Sequence, residues 1–184
     1  MNLQEELKTI IKECTPSNNL IAIVGVDKSG KTTFINNEFG DNALVIHASP
    51  FARKLHVSNN KYWMIIREMV FAFDRRKQYK ILRKVDGCVL DRCFIDAAVY
   101  GYYLSTRLNS PLIGKISRWF IRKSPDIDTI ILLCPFKSKM VEIDDEYSNI
   151  DAFTQYYRNV LFEYGYELIG VSTYDLGEIE VYAL

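Results

Sequence analysis

The sequence predicts a three-layer α/β domain in which a five-stranded parallel sheet is flanked by helices. Short apolar runs of strand length alternate along the chain with longer segments whose apolar residues recur at helical spacing. Strands without polar alternation are buried on both faces, which is typical of parallel sheets covered by helices. The predicted strands are 20–26, 43–48, 87–91, 128–134 and 166–172. The predicted helices include 61–85, 95–108, 113–123 and 150–165.

Composition and charge favour a single domain over residues 1–184, with residues 1–19 as an N-terminal helical extension. Hydrophobic residues make up 48% of the chain and charged residues 25%, so we expect a substantial core. The formal net charge is zero, which argues against a general nucleic-acid or anionic-membrane binder. No apolar stretch reaches the roughly 20 residues of a membrane span, and the N-terminus has no signal-peptide core. The four cysteines form no CxxC or CxxH pair, so we interpret them as reduced thiols of a cytoplasmic protein without a metal site.

The segment "GVDKSGKTT" lies between the first strand and a helical stretch and satisfies the pattern G-x-x-x-x-G-K-[ST]. Glycines let such a loop wrap its N–H groups around a phosphate, and the helix start adds a positive dipole. Lys31 would then reach the β- and γ-phosphates, and the Thr32 hydroxyl would ligate Mg²⁺. The alternative is a glycine-containing turn with a surface lysine. The predicted nucleotide-binding residues are Gly25, Ser29, Gly30, Lys31, Thr32 and Thr33.

The run "GCVLDRC" predicts a strand that ends at Asp91 and Arg92. Ligands of open α/β sheets bind beyond the carboxyl ends of the strands. A carboxylate at that place can hold Mg²⁺ through water, and an arginine can grip a phosphate with two hydrogen bonds. The alternative is a capping aspartate followed by a surface arginine. Beside a phosphate-binding loop we favour the functional interpretation.

Four segments resemble, in the same order, the thymidylate kinase family of P-loop nucleoside monophosphate kinases. They are "GVDKSGKTT", "FAFDR", "DRCFIDAAVY" and "PDIDTIILL". The resemblance runs from residue 20 to about residue 165 and leaves out the N-terminal helix of residues 3–14. It implies the P-loop NTPase fold and transfer of the γ-phosphoryl group of ATP, with Mg²⁺, to dTMP or dUMP. It also implies a homodimer formed through helices, with small nucleotides and neither nucleic acid nor membrane as partners.

The resemblance also implies which residues hold the acceptor nucleotide. Asp27 is similar to a catalytic carboxylate near the acceptor's 3′-hydroxyl and phosphate, and its alternative is a turn residue. Phe71 would stack on the pyrimidine, and Arg75, four residues later on the same helical face, would donate to a base carbonyl. Tyr100 would close over the sugar and exclude a 2′-hydroxyl. The alternatives are core packing for Phe71 and Tyr100 and a solvated surface for Arg75.

The acceptor phosphate needs an arginine, and the resemblance offers two. Arg53 in "HASPFARK" is one residue displaced from the family pattern F-P-x-R, and a surface role is the alternative. Arg92 is the second candidate. The family has an aromatic residue at the next position, where this chain has Cys93. Either Phe94 replaces that aromatic contact or the contact is absent.

The predicted lid, about 136–149, also departs from the family. Many members close lid arginines over the transferred phosphoryl group, but this segment has Lys137 and Lys139 and no arginine. Other members carry a basic residue directly after the loop aspartate, where Lys28 stands. We hypothesise that Lys28 is the catalytic cation, although an ammonium lacks the fork of a guanidinium. The alternative is a solvent-exposed lysine, and the acidic run 144–146 receives no role.

Other functions remain open on the sequence alone. A deoxynucleoside kinase would share the phosphate loop and the Asp-Arg pair, and it would need a base such as His47 or Asp91 near the 5′-hydroxyl. A nucleotide-binding module with weakened catalysis is supported by the arginine-poor lid, but the intact Lys31 and Thr32 argue against it. The sequence does not choose between dTMP, dUMP and a broader range of acceptors.

Overall fold

The computed structural model describes residues 20–26, 29–39, 45–46, 60–82, 88–122, 127–136, 150–174 and 177–184. Within these ranges the chain forms six strands and five helices. The strands are β1 (Leu20–Gly25), β2 (Val45–Ile46), β3 (Cys88–Asp91), β4 (Thr129–Pro135), β5 (Glu167–Tyr174) and β6 (Gly177–Ala183). The helices are α1 (Lys31–Glu38), α2 (Lys61–Leu82), α3 (Phe94–Arg107), α4 (Pro111–Ile121) and α5 (Ile150–Glu163). The predicted extension over 1–19 lies outside the described residues.

The strands form one sheet in the order β2-β3-β1-β4-β6-β5. β1 pairs in parallel with β3 on one side and with β4 on the other, and β2 pairs in parallel with β3. Every residue of β3 and β4 is buried, as the unbroken apolar runs predicted. The strand order changes direction around β1, and folds of this kind bind ligands beyond the carboxyl ends of strands at such a point.

The prediction of a five-stranded parallel sheet is wrong in the number of strands and in their direction. The sheet formed by the described residues has six strands and is mixed. β6 runs antiparallel to β4 and to β5, and it lies between them. Only two residues, 175 and 176, separate β5 from β6, and short connections of this kind join antiparallel neighbours. The pattern of apolar runs does not predict β6, because its segment "GEIEVYA" includes two glutamates and is not a continuous apolar run.

The helices form layers on both faces of the sheet, so the predicted three-layer arrangement is confirmed. Alternate residues of β1 point to opposite faces, with Ile23 toward α1 and Val24 toward α3 and α5. A third cluster joins α2, α3 and α4 through Met64, Leu104 and Ile113. None of the helices in the described part of the chain is long and apolar enough to cross a membrane.

Cysteines in the described part of the chain behave as core residues. Cys88, Cys93 and Cys134 are buried, and none of the three forms a disulfide. Burial raises the pKa of the Cys88 thiol to about 11 and that of the Cys134 thiol to about 12. A thiol with such a pKa is protonated near neutral pH, which makes it a poor nucleophile and a poor metal ligand.

Glu180 lies inside the sheet because its charge is paired. Its carboxylate is buried and accepts hydrogen bonds from the Arg158 guanidinium on α5, with Nε at 3.0 and 3.1 Å from the two oxygens. The Arg158 Nη2 group also donates to Oε1, and the Tyr182 hydroxyl donates to Oε2 at 2.6 Å. Burial favours the neutral carboxyl, but these bonds outweigh it and lower the pKa of Glu180.

Replacing Arg158 with methionine should therefore lower the free energy of unfolding at pH 7 by about 1–3 kcal/mol, because it leaves a buried carboxylate short of its partner. A lowered folded pKa gives stability that is present above the ordinary value of 4.5 and is lost as the pH falls through the folded value. The difference between wild type and variant should thus narrow below about pH 4.5. Urea unfolding from pH 7 to pH 3 measures this difference in the free energy of unfolding. Lys115→Met, at an exposed position on α4, is the control. A difference in the free energy of unfolding that stays constant from pH 7 to pH 3 would contradict the conclusion that Arg158 stabilises the charged form of Glu180.

Candidate active site

Two glycines shape the loop that follows β1. Gly25 ends β1 with a φ of 142°, and a Cβ at this position would lie 2.7 Å from the carbonyl oxygen of Leu133. Gly30 has a φ of 81° and directly precedes α1. Both φ values lie in a region that favours glycine, so the backbone explains why the motif has glycine at its two ends. Asp27 and Lys28, in the middle of the loop, lie outside the described residues.

The ammonium group of Lys31 lies inside the curve of this loop. Lys31 is the first residue of α1 and is buried. Its Nζ donates to the Gly25 carbonyl at 2.9 Å, to the Ser29 hydroxyl at 3.1 Å and to the Val26 carbonyl. A helix N-terminus directs its first N–H groups toward the preceding loop. The loop, the helix start and the ammonium thus place positive charge where the sequence predicted a phosphate site.

The two threonines of the motif follow Lys31 on the first turn of α1. Thr32 and Thr33 are both exposed. The Thr32 hydroxyl is therefore accessible for the metal-ligating role that the motif predicts. Ser29, by contrast, is fully buried and holds the loop together from inside.

The next strand, β3, ends beside β1 in a turn with unusual backbone geometry. Asp91 is buried, and Arg92 has a φ of 75°, which is uncommon for a residue other than glycine. The Arg92 N–H donates to the Ile23 carbonyl at 3.0 Å and so continues the pairing with β1. Backbone conformations of this kind cost of order 1–3 kcal/mol and cluster at functional sites. The predicted Asp91-Arg92 pair thus lies at the same edge of the sheet as the loop around Lys31, which is predicted to bind phosphate and is called the phosphate loop below.

The start of α3 is held by a capping arrangement that the sequence analysis did not identify. Cys93 is the N-cap, and its sulfur accepts from the Ile95 N–H at 3.4 Å. The Asp96 carboxylate accepts from the Cys93 N–H at 2.8 Å. Ser or Thr is the usual N-cap of such a box, so a cysteine gave no signal. Phe94 is buried in the core and packs against Tyr164, and whether it replaces the family's aromatic contact stays open.

Asp96 also links this turn to the phosphate loop. Its Oδ1 lies 3.5 Å from Arg92 Nη1 and 2.8 Å from the hydroxyl oxygen of Tyr157. The same hydroxyl lies 3.1 Å from the Gly25 carbonyl oxygen. Burial opposes the charge of Arg92, but the Asp96 carboxylate and the hydroxyls of Tyr100 and Tyr157 raise its pKa above the usual value.

A second tyrosine contacts the other end of the loop. The Tyr174 hydroxyl, at the end of β5, donates to the Ser29 carbonyl at 3.1 Å. Burial raises the pKa of both Tyr157 and Tyr174, so the two hydroxyls keep their protons and act as donors. No sequence pattern predicts a role for either residue, because both contacts depend on tertiary packing and the chain has twelve tyrosines.

The predicted acceptor residues are only partly within the described structure. Tyr100 is half-buried on α3, with its ring 5.5 Å from that of Phe153, and it lies near Arg92. Phe71 is half-buried on α2, and the guanidinium of Arg67 lies 4.7 Å from its ring centre. Arg67 thus covers part of the ring that was predicted to stack on a pyrimidine. The remaining candidates lie outside the described part of the structure. They are Arg53, Lys137, Lys139 and the side chain of Arg75.

Comparison with known proteins establishes the fold. No protein-family model matches the sequence, and no curated protein matches it at a significant level. The structure of thymidylate kinase from Candida albicans matches with a TM-score of 0.56 and 18% identity, over 81% of this chain and 78% of that chain. The NadR protein in complex with NR matches with a TM-score of 0.59 and 16% identity, over 89% of this chain and 46% of that chain. The chain shares the fold of these two structures. This chain spans less than half of the NadR chain, and identities this low establish the fold alone.

Proposed function

We propose that this protein transfers the γ-phosphoryl group of ATP to a pyrimidine deoxynucleoside monophosphate, dTMP or dUMP, giving the diphosphate. The observation that carries this proposal is the phosphate loop around Lys31, which lies at the same sheet edge as the Asp91-Arg92 turn. One feature suits the phosphates of a donor and the other suits the phosphate of an acceptor. The structural similarity to a thymidylate kinase supports the choice of acceptor.

The donor half of the site is built from the loop and the first turn of α1. Lys31 binds the β- and γ-phosphates, and the loop N–H groups bind the phosphate oxygens. Thr32 and Asp91 hold Mg²⁺, because a hydroxyl and a carboxylate form the all-oxygen set that this cation prefers. When bound, Mg²⁺ neutralises charge on the phosphates. The remaining donor contacts come from Gly25, Ser29, Gly30 and Thr33.

The acceptor half is built from residues that surround the end of β3. Arg92, fixed by Asp96, binds the acceptor phosphate together with Arg53. Tyr100 packs against the sugar, while Phe71 and Arg75 on α2 bind the base. Asp27 contacts the sugar and phosphate region from inside the loop. Because little covalent chemistry is required of the protein, catalysis comes from positioning and from electrostatic stabilisation.

The proposal is tested by measuring ADP release with purified protein across the common nucleosides and nucleoside monophosphates. We expect dTMP or dUMP to give the highest specificity constant. A preference for thymidine over dTMP would favour a deoxynucleoside kinase. ATP binding without transfer to any acceptor would favour a nucleotide-binding module.

Replacing Arg92 with glutamine should lower kcat/KM for the acceptor about ten- to a hundredfold, because a charge-assisted hydrogen bond of about 1.5–3 kcal/mol is lost. The KM for ATP should change little, since Arg92 belongs to the acceptor half. Initial rates over both substrates separate the two effects. Arg107→Gln, an exposed arginine at the end of α3, is the matched control. An unchanged acceptor specificity constant would remove Arg92 from the site.

We further propose that two copies pair through α2. Tyr62, Ile66, Met69 and Phe73 are between 40% and 67% exposed and recur every three or four residues along the helix. They therefore form one apolar stripe, and exposed stripes of this size mark interaction surfaces. A two-fold contact matches such a stripe against its own copy.

Ile66→Asp should shift the protein toward the monomer, because it places a charge in the apolar stripe of α2. Sedimentation velocity over a range of concentrations measures the change. Phe162→Asp is the matched control, since Phe162 is 84% exposed on α5, away from the stripe. Wild-type protein that sediments as a monomer at all concentrations would contradict the pairing.

A further inference from the structure

The Tyr157 hydroxyl joins the two halves of the proposed site. Tyr157 is fully buried on α5, the helix that follows the predicted lid segment. Its hydroxyl oxygen lies 3.1 Å from the carbonyl oxygen of Gly25, at the start of the phosphate loop. It also lies 2.8 Å from Oδ1 of Asp96, the carboxylate that pairs with Arg92.

Together these contacts form a chain of polar atoms within hydrogen-bond distance of one another between Lys31 and Arg92, the two side chains proposed to bind phosphate. Lys31 Nζ donates to the Gly25 carbonyl at 2.9 Å, and the Tyr157 hydroxyl reaches the same carbonyl. Tyr157 also reaches Asp96, which accepts from Arg92 at 3.5 Å and from the Cys93 N–H at 2.8 Å. The chain thus runs from the lysine of the donor half to the arginine of the acceptor half.

The single proton of the Tyr157 hydroxyl lets this chain of contacts respond to a change at the loop. A tyrosine has one proton to donate, and here it faces two acceptors, a carbonyl and a carboxylate. While Lys31 also donates to the Gly25 carbonyl, the Tyr157 proton is available to Asp96. When Lys31 turns to a phosphate, the Gly25 carbonyl loses that donor and attracts the Tyr157 proton more strongly. Asp96 then accepts less from Tyr157 and pairs more strongly with Arg92.

We propose that Tyr157 is a positioning residue that couples nucleotide binding at the phosphate loop to the orientation of Arg92. The inference rests on the proposed function, because it assigns Lys31 to the donor and Arg92 to the acceptor. Binding of the donor then strengthens the hold of Asp96 on the arginine and raises the affinity for the acceptor phosphate. By linkage, the acceptor raises the affinity for the donor by the same factor.

The test measures dTMP binding by calorimetry, with and without a saturating non-hydrolysable ATP analogue and Mg²⁺. In wild type the analogue should tighten dTMP binding, and in Tyr157→Phe this tightening should fall by about three- to tenfold, toward no effect. Affinity for the analogue alone should stay within about twofold. A purely structural role of Tyr157 would weaken binding of both ligands, but it would leave unchanged the ratio of the dTMP affinities measured with and without the analogue. An equal ratio in wild type and Tyr157→Phe would overturn the coupling.

The matched control is Tyr102→Phe. The Tyr102 hydroxyl donates to Glu163 at 2.7 Å, so it too joins a tyrosine of one helix to a carboxylate of another across the α3–α5 contact, but far from the loop. This variant should keep the wild-type ratio. If Tyr157→Phe does not fold, Asp96→Asn replaces the carboxylate with a neutral group of the same shape and should lose the same coupling.

Amide hydrogen exchange separates failure of this inference from failure of the proposed function. Analogue binding should slow exchange of the Cys93 N–H in wild type, because that group donates to Asp96. It should leave the same amide unchanged in Tyr157→Phe. Equal slowing in both proteins would overturn the coupling while the nucleotide site stands. Absence of analogue binding to wild type would overturn the proposed function, and the coupling with it.

Discussion

Replacing Lys31 with methionine should reduce kcat/KM for phosphoryl transfer by about 10²–10³-fold or more, which is the range for losing one preorganised electrostatic group. The ammonium lies inside the loop, held by the Gly25 and Val26 carbonyls and by Ser29, so the structure has already ordered it. Such a group contributes more than a mobile surface charge, because it needs only to exchange the Gly25 carbonyl for a phosphate oxygen when the nucleotide binds. Methionine keeps the buried aliphatic stem and removes only the charge and the three donors.

The loss should come from chemistry and nucleotide binding, because methionine keeps the buried stem of Lys31 and the Tyr157 hydroxyl still lies 3.1 Å from the Gly25 carbonyl oxygen. We expect the melting temperature of Lys31→Met to stay within about 5 °C of wild type, as for a change of about 1 kcal/mol. Steady-state rates and calorimetric melting measure both quantities. Lys115→Met makes the same chemical change at an exposed position on α4 and is the control for activity. A Lys31→Met enzyme with near-wild-type turnover would exclude the phosphate-loop assignment.

The fold could be predicted from the sequence where burial alone determines a segment. β1, β3 and β4 are buried on both faces, so their segments are continuous apolar runs, and α2 to α5 begin and end within three residues of their predicted bounds. β6 could not be predicted in this way, because Glu180 is a charged residue in a buried strand. Its partners Arg158, on α5, and Tyr182, on the same strand, stabilise that placement.

The features of the candidate site also differ in whether they are local in the sequence or depend on tertiary packing. The loop around Lys31 is local, so the spacing between Gly25 and Lys31 is enough to predict its glycine geometry, and its binding of phosphate stays a prediction. The contacts of Tyr157 join residues 61 and 132 positions apart in the chain. No sequence pattern records contacts of this kind, because they depend on how α5 packs across the sheet. For Cys93 the difficulty is chemical, because sulfur is an unusual capping acceptor.

Lys28 should act on the rate of the chemical step more than on binding of ATP. As the γ-phosphoryl group is transferred, charge in the transition state must be offset by a cation. Lys31 is assigned to the β- and γ-phosphates, so it would contact the ground state and the transition state alike. Lys28 is the other cation of the loop, and the predicted lid over 136–149 has no arginine to replace it.

Lys28→Ala should therefore lower kcat by a larger factor than it raises the KM for ATP, which is the signature of an interaction made mainly in the transition state. A catalytic arginine in related chemistry contributes about 10³–10⁵ in kcat, and we expect the ammonium to contribute at or below the lower end. Lys28→Arg should preserve or raise activity, because a guanidinium can bridge two phosphate oxygens. Measurement of kcat and both KM values decides between these outcomes. An unchanged kcat in Lys28→Ala would make Lys28 a surface residue and turn the same experiment to Lys137 and Lys139.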